Sequence, residues 1–264
     1  MPVCLKTEWI GEKTSPSRPS NSFPFPPVST ESLISMNSLP LRSLVAGLWV
    51  AGFNLPAATP LATGHADVGI GYEGGFDLHV HDGENDIEYS PADALLVVGS
   101  QSLQFSTGGS FAFLGPVGTP VWVLPQAENP DLLFLGLGTE ELIPSEWTGN
   151  ITLTLTSVSG PGQFYLWTVN PFGTPSVQMD SANGVSAADN TTQLPGSHGH
   201  YNWGFSALGT YGISFEASGL HVADGPQNSG PVVYHFEVVP EPGSLALGLF
   251  GLGAFGLLLR WRKA

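Results

Sequence analysis

Residues 65–239 read as an all-β domain folded as a sandwich, and three observations carry that expectation. Ile151, Leu153 and Leu155 alternate with threonines in ITLTLTSV (151–158), the period of two of a strand with one buried face. Similar short runs follow one another along the chain: ADVGIGY, FDLHVHD, ALLVVG, FAFLG, PVWVLP, LLFLGLG, QFYLWTV, HYNWGFS, TYGISFEA and VVYHFEVV. Gly, Pro, Asn and Asp punctuate the gaps between them, as turns require. No amphipathic run is long enough for a substantial helix, and GTEELIPSEW holds one turn at most. Many short strands with frequent turns pack as a sandwich, here without internal repeat or linker and so as one domain.

The flanks have other compositions. Residues 1–35 are rich in Pro and Ser and lack apolar periodicity, so they read as a disordered extension or a mis-assigned start, with Met36 the natural one. Residues 36–64 have the three-part layout of a secretory signal peptide: a polar start with Arg42, an apolar run from Leu44 to Leu55, then small residues. Cleavage is expected among Ala57–Gly64. Residues 240–264 hold the apolar run Leu245–Leu259, whose fifteen residues make roughly 22 Å of helix against a hydrocarbon core of ~30 Å. Such a run makes a marginal transmembrane helix, through which the chain meets the membrane. Arg260, Arg262 and Lys263 behind it stay on the cytoplasmic side, which leaves the domain facing outward.

Charge narrows the function. No Lys or Arg lies between Arg42 and Arg260, and only Glu8, Glu12 and Glu31 of the 22 acidic residues precede the domain. A surface this acidic repels phosphate backbones, so nucleic acid is excluded as a partner, and it attracts cations. The one cysteine, Cys4, lies upstream of the folded part, which removes disulfides, thiolate catalysis and Cys-ligated zinc.

Three stretches resemble known families. Val239, Pro240, Glu241 and Pro242, then the apolar run and the basic end, resemble the PEP-CTERM sorting signal. That resemblance implies an exosortase-type processing enzyme as partner, and a place in the cell envelope, at the cell surface or in the extracellular matrix of a bacterium with an outer membrane. LGTYGISF (208–215) resembles the Gly-Thr-Tyr corner of immunoglobulin-like sandwiches, with Tyr211 anchoring the corner through its hydroxyl. GHADVGIGYEGGFDLHVHD, VWVLPQAENPDLLFLGLGTEEL and GSHGHYNWGFSALGTYGISFEASG resemble the choice-of-anchor M domain, the last of them also the surface-anchored repeat of wall proteins. These likenesses imply surface attachment more than any activity.

Candidate chemistry centres on two His-x-His pairs, His79/His81 and His198/His200. On a strand, residues i and i+2 share a face, so each pair presents two imidazoles together. His65 and Asp67 one strand earlier, and Asp77 beside the first pair, extend the set to nitrogen and carboxylate ligands suited to zinc or manganese. If both pairs converge they hold one ion together; if they do not, they are four ordinary polar residues of a sandwich. Asp82, Glu84, Asp86 and Glu88 alternate as a calcium-binding edge would, but the glycine at the second position departs from the calcium-loop pattern, and a solvated hairpin tip is the default. Trp122, Trp147, Trp167, Trp203, Tyr165 and Tyr201 suit sugar stacking if exposed and a core if buried, and core packing is favoured. No Gly-x-Ser-x-Gly, His-Glu-x-x-His or phosphate-binding loop occurs, so no enzyme is expected. The expected function is an exported, surface-anchored structural or binding protein. The alternatives are an extracytoplasmic metal-binding protein and, more weakly, a carbohydrate-binding module with extracellular polysaccharide as partner.

Overall fold

A computed structural model describes residues 58–240, which form seventeen strands in three sheets. The largest sheet contains β1 (Thr59–Leu61), β5 (Ala94–Val98), β9 (Ile151–Ser159), β12 (Asn190–Gln193), β15 (Gly209–His221), β16 (Gly225–Asn228) and β17 (Val232–Val238). Its order is β1-β5-β17-β15-β9-β12, with β16 paired to β15. A second sheet has the order β13-β8-β2-β3-β4, from β13 (His198–His200), β8 (Leu133–Gly138), β2 (Gly64–Tyr72), β3 (Phe76–Asp82) and β4 (Ile87–Tyr89). A third has the order β11-β10-β14-β7-β6, from β11 (Pro175–Asp180), β10 (Phe164–Val169), β14 (Asn202–Phe205), β7 (Pro120–Leu124) and β6 (Leu103–Phe105). The domain is all-β. Most pairings are antiparallel, while β1–β5, β5–β17 and β2–β8 run parallel.

One core joins the sheets. Ile151, Leu153 and Leu155 are buried as their alternation requires, and Ile213, Phe215, Tyr234 and Phe236 lie beside them in the largest sheet. Facing residues come from the second sheet (Val68, Ile70, Val80, Leu135, Leu137) and the third (Phe164, Leu166, Trp203, Phe205). Trp203 is fully buried and ties the two smaller sheets together, its indole N–H donating to the Leu135 carbonyl at 3.0 Å. Tyr211 forms the expected corner: its hydroxyl donates to the Ala207 carbonyl at 2.9 Å and accepts from the Ala207 N–H at 3.1 Å.

Two expectations change. FAFLG forms no strand; Gly109–Leu114 is a 3-10 turn bounded by Gly108 and Gly115, both at positive φ. Glycines in that backbone region break an extended run at both ends. The sheet also begins ahead of residue 65, because β1 pairs with β5 and the Thr59 N–H donates to the Asp93 carbonyl at 2.7 Å. Cleavage that preserves this edge strand falls before Thr59. Among the described residues no helix is long and apolar enough to cross a membrane. The expected sorting helix at 245–259 and the signal peptide through Ala57 lie outside the described residues.

Candidate metal centre

The outward face of the second sheet is a glycine floor carrying histidines. In β2 and β8 the inward positions are Val68, Ile70, Leu135 and Leu137, all in the core, while Gly69, Gly71, Gly136 and Gly138 occupy the outward ones. Register sets the polar residues of this face in transverse rows: His200–Gly136–Asp67–His81 and His198–Gly138–Gly69–His79. With no side chains between them, groups on separate strands can reach across the floor.

Four of them do. His198 Nε2 lies 2.9 Å from His200 Nε2 and 3.3 Å from Asp67 Oδ1, and His65 Nε2 lies 3.3 Å from Asp67 Oδ2. Ring nitrogens of His65, His198 and His200 all fall within 4.8 Å of one another. Ligands about 2.0–2.1 Å from a tetrahedral zinc ion stand roughly 3.3 Å apart, so the spacing fits. Direction matters as much as distance. His65 Nε2 and Asp67 Oδ1 are buried without a hydrogen-bond partner, because their close neighbours are not aligned to donate or accept. His198 Nε2 and His200 Nε2 pair with each other, and the buried, unpartnered His65 Nε2 and Asp67 Oδ1 beside them are placed as ligands around a shared point would be.

The electrostatics agree. Asp67 is 2% exposed, and burial pushes its carboxyl above the usual range, while the nearby His198 and His65 pull the other way. A buried carboxylate is costly without a compensating charge, and no Lys or Arg exists in the domain to supply one. Protonated His200 does not supply it: burial, then the neighbouring His198, holds that ring's pKa down to about 4. A neutral imidazole is the form that binds metal.

Neighbours orient these groups. Glu140 Oε1 lies 3.5 Å from His198 Nδ1, an arrangement that turns Nε2 toward His200 and Asp67. Phe134 stacks on His200 with ring centroids 3.6 Å apart and planes 10° apart. A Cβ at residue 136 would overlap Asp67 Oδ1 and sit 2.8 Å from His198 Nε2, so the site needs Gly136. A cleft of about 340 Å³ reaches the rim at His65, bordered by Asp82, Glu84 and Asn85.

The two His-x-His pairs do not converge. β8 and β2 separate β13 from β3, three strand spacings or roughly 14 Å of backbone. His198 and His200 join His65 and Asp67, whereas His79 groups with Glu88 and Glu141. His81 faces Asp86 at 3.4 Å, and Asp77 is exposed on β3 in none of these groups. Glu140 and Glu141 carry no ligand pattern in the sequence, and Glu88 stands there only as one acid of the 82–88 edge, with nothing to link it to His79. The alternation of Gly with apolar residues in DVGIGY and LFLGLG was the readable sign of an open floor.

The acids of the 82–88 hairpin disperse instead of gathering. Asp82 accepts from the N–H groups of Glu84 and Asn85, Glu84 accepts from the His65 N–H, Asp86 faces His81, and Glu88 faces His79. Of the six aromatic candidates, Trp147, Trp167, Trp203, Tyr165 and Tyr201 are buried and Trp122 is half-buried, so they form no exposed stacking row.

Residues 238–263 match the PEP-CTERM protein-sorting motif. The expected motif residues Val239, Pro240, Glu241, Pro242, Arg260, Arg262 and Lys263 all fall within that span, those from Glu241 onward outside the described residues. Such a motif marks an exported protein sorted to the cell envelope or surface of a Gram-negative bacterium, and exosortase recognises it. The match starts at the last residue of β17, so the final strand of the sheet ends where the sorting segment begins. Among curated proteins and among solved structures, nothing matches the chain significantly.

Proposed function

We propose that the exported domain binds a divalent transition-metal ion at the envelope or cell surface, through His65, Asp67, His198 and His200, and that it is a binding protein, not an enzyme. The observation that carries this reading is Asp67: a carboxylate 2% exposed, its Oδ1 unpartnered, ringed by imidazoles in a domain without Lys or Arg. Three nitrogens and one oxygen form a donor set suited to zinc. His65, His198 and His200 would supply neutral imidazoles, Asp67 the charge, and Glu140 the orientation of His198. The Tyr211 corner supports the immunoglobulin-like reading of the sandwich, and the likeness to choice-of-anchor M segments supports display at the surface. An envelope domain of this kind holds or presents the ion near the outer surface.

The test is zinc binding by the full chain after metal depletion, followed by calorimetry. The native chain should bind zinc, and His198→Ala should weaken binding at least ~100-fold, with an unchanged β circular-dichroism spectrum. Equal affinity in the variant would overturn the reading.

A further inference from the structure

We infer that the same glycine floor carries a second, oxygen-rich cation site, formed by His79, Glu141 and Glu88, which takes a harder divalent ion such as manganese. His79 lies 4% exposed on β3, and neither of its ring nitrogens has a hydrogen-bond partner. Its Nε2 stands 2.9 Å from Glu141 Oε1 but is not aligned to donate to it. Donor atoms of His79, Glu88 and Glu141 all lie within 4.8 Å of one another. A buried imidazole aimed between two carboxylates, without bonding either, is arranged to share a cation with them. A Cβ at residue 69 would overlap His79 Nε2, so this ring, like Asp67, depends on a glycine beneath it.

Glu141 is positioned, not merely nearby. It follows Glu140 in a short turn held at both ends by buried residues, Thr139 at 0% and Leu142 at 2% exposure. The Thr139 hydroxyl donates to the Leu194 carbonyl at 2.7 Å, its N–H donates to the Ser197 carbonyl at 2.8 Å, and the Leu142 N–H donates back to Thr139 at 3.0 Å. That anchoring sends adjacent carboxylates to opposite sides, Glu140 to His198 and Glu141 to His79. One imidazole with two carboxylates favours an oxygen-seeking ion, where the first site, with three imidazoles, favours zinc. The second site rests on different residues and stands without the first.

Manganese uptake by the full chain, preloaded with one equivalent of zinc, tests this through the paramagnetic resonance signal of free Mn2+. The native chain should remove a further equivalent of Mn2+ from solution. Glu141→Gln and His79→Gln should each abolish that uptake while retaining zinc, and His198→Ala should lose zinc while retaining manganese. Glu141 is half exposed, so the near-isosteric Gln leaves the fold intact even if His79→Gln does not. Unchanged manganese uptake in Glu141→Gln would overturn the second site and leave the zinc reading standing. So would zinc binding with no manganese uptake by the native chain. Manganese uptake without zinc binding would overturn only the first.

Discussion

The second and third sheets both turn an outward face away from the shared core, and the two faces are finished in opposite ways. On the third sheet Val121, Val123, Tyr165 and Trp167 point outward and are covered by Leu114, Phe111 and Phe113 of the 3-10 turn, forming a second apolar cluster. On the second sheet the outward positions hold histidines, Asp67 and glycines, and the nearest cover is a turn bearing Glu140 and Glu141. The local device is nevertheless shared. A Cβ at Gly204 would stand 2.6 Å from the Trp167 ring, just as a Cβ at Gly69 would run into His79. Each glycine lets a ring lie flat across the neighbouring strand. Where the ring is an indole under phenylalanines, the result is packing; where it is an imidazole facing carboxylates, the result is a set of donors. The backbone arrangement makes the space, and the chemistry of the ring and its cover decides its use.

Truncation separates the two faces most sharply. Trp167→Ala removes a large side chain, 3% exposed, from the apolar cluster and should cost ~3–5 kcal/mol of stability, read by denaturant unfolding, with metal stoichiometry unchanged in the folded protein. Asp67→Asn should do the reverse: zinc binding is lost, while the metal-free protein unfolds at nearly the same denaturant concentration, since a buried charge without a counter-charge has been removed. Loss of zinc in Trp167→Ala under folding conditions would mean that the faces are coupled, and the comparison would break.

Paired glycine substitutions give a smaller effect. Gly204→Ala meets a rigid, packed indole and should lower stability by ~1–3 kcal/mol. Gly136→Ala meets the carboxylate end of Asp67, which can swing away, so the melting temperature should move less while zinc affinity falls. Equal melting shifts in the two variants would show that the polar face is packed as tightly as the apolar one.

Acid should produce the smallest difference and confine it to the polar face. The folded His200 titrates near 4, against 6.5 ordinarily. As pH falls from about 6.5 towards 4 the unfolded chain takes up this proton and the native one does not, so stability is lost across that window. Asp67 acts oppositely: its carboxyl is raised in the native state, so native stability recovers as pH approaches the carboxylate range from above. The metal-free protein should therefore melt lower at pH 5 than at pH 7, and His200→Gln should flatten that dependence. An unaltered pH profile in His200→Gln would assign the acid sensitivity elsewhere.

Much of the architecture is legible from local pattern because strands with one buried face must alternate. FDLHVHD is β3 residue for residue, and ITLTLTSV, PVWVLP and QFYLWTV give β9, β7 and β10 to within a residue or two. The short polar strands β12 and β16 carry no such alternation. Asn190–Gln193, for example, is NTTQ, extended because it pairs with β9 and not because of its own composition.

The sequence by itself determined the all-β character, the core place of Trp203, the corner at Tyr211, the acidity of the domain, and the sorting motif at 238–263. Each follows from composition or from neighbours along the chain. Only the tertiary structure decided which histidines meet. Parallel pairing of β2 with β8, and insertion of both between β13 and β3, carries His198 and His200 to His65 and Asp67 and away from His79 and His81. Strand order is set by burying apolar faces from all three sheets together, a condition on the whole chain that the spacing of two histidines does not contain.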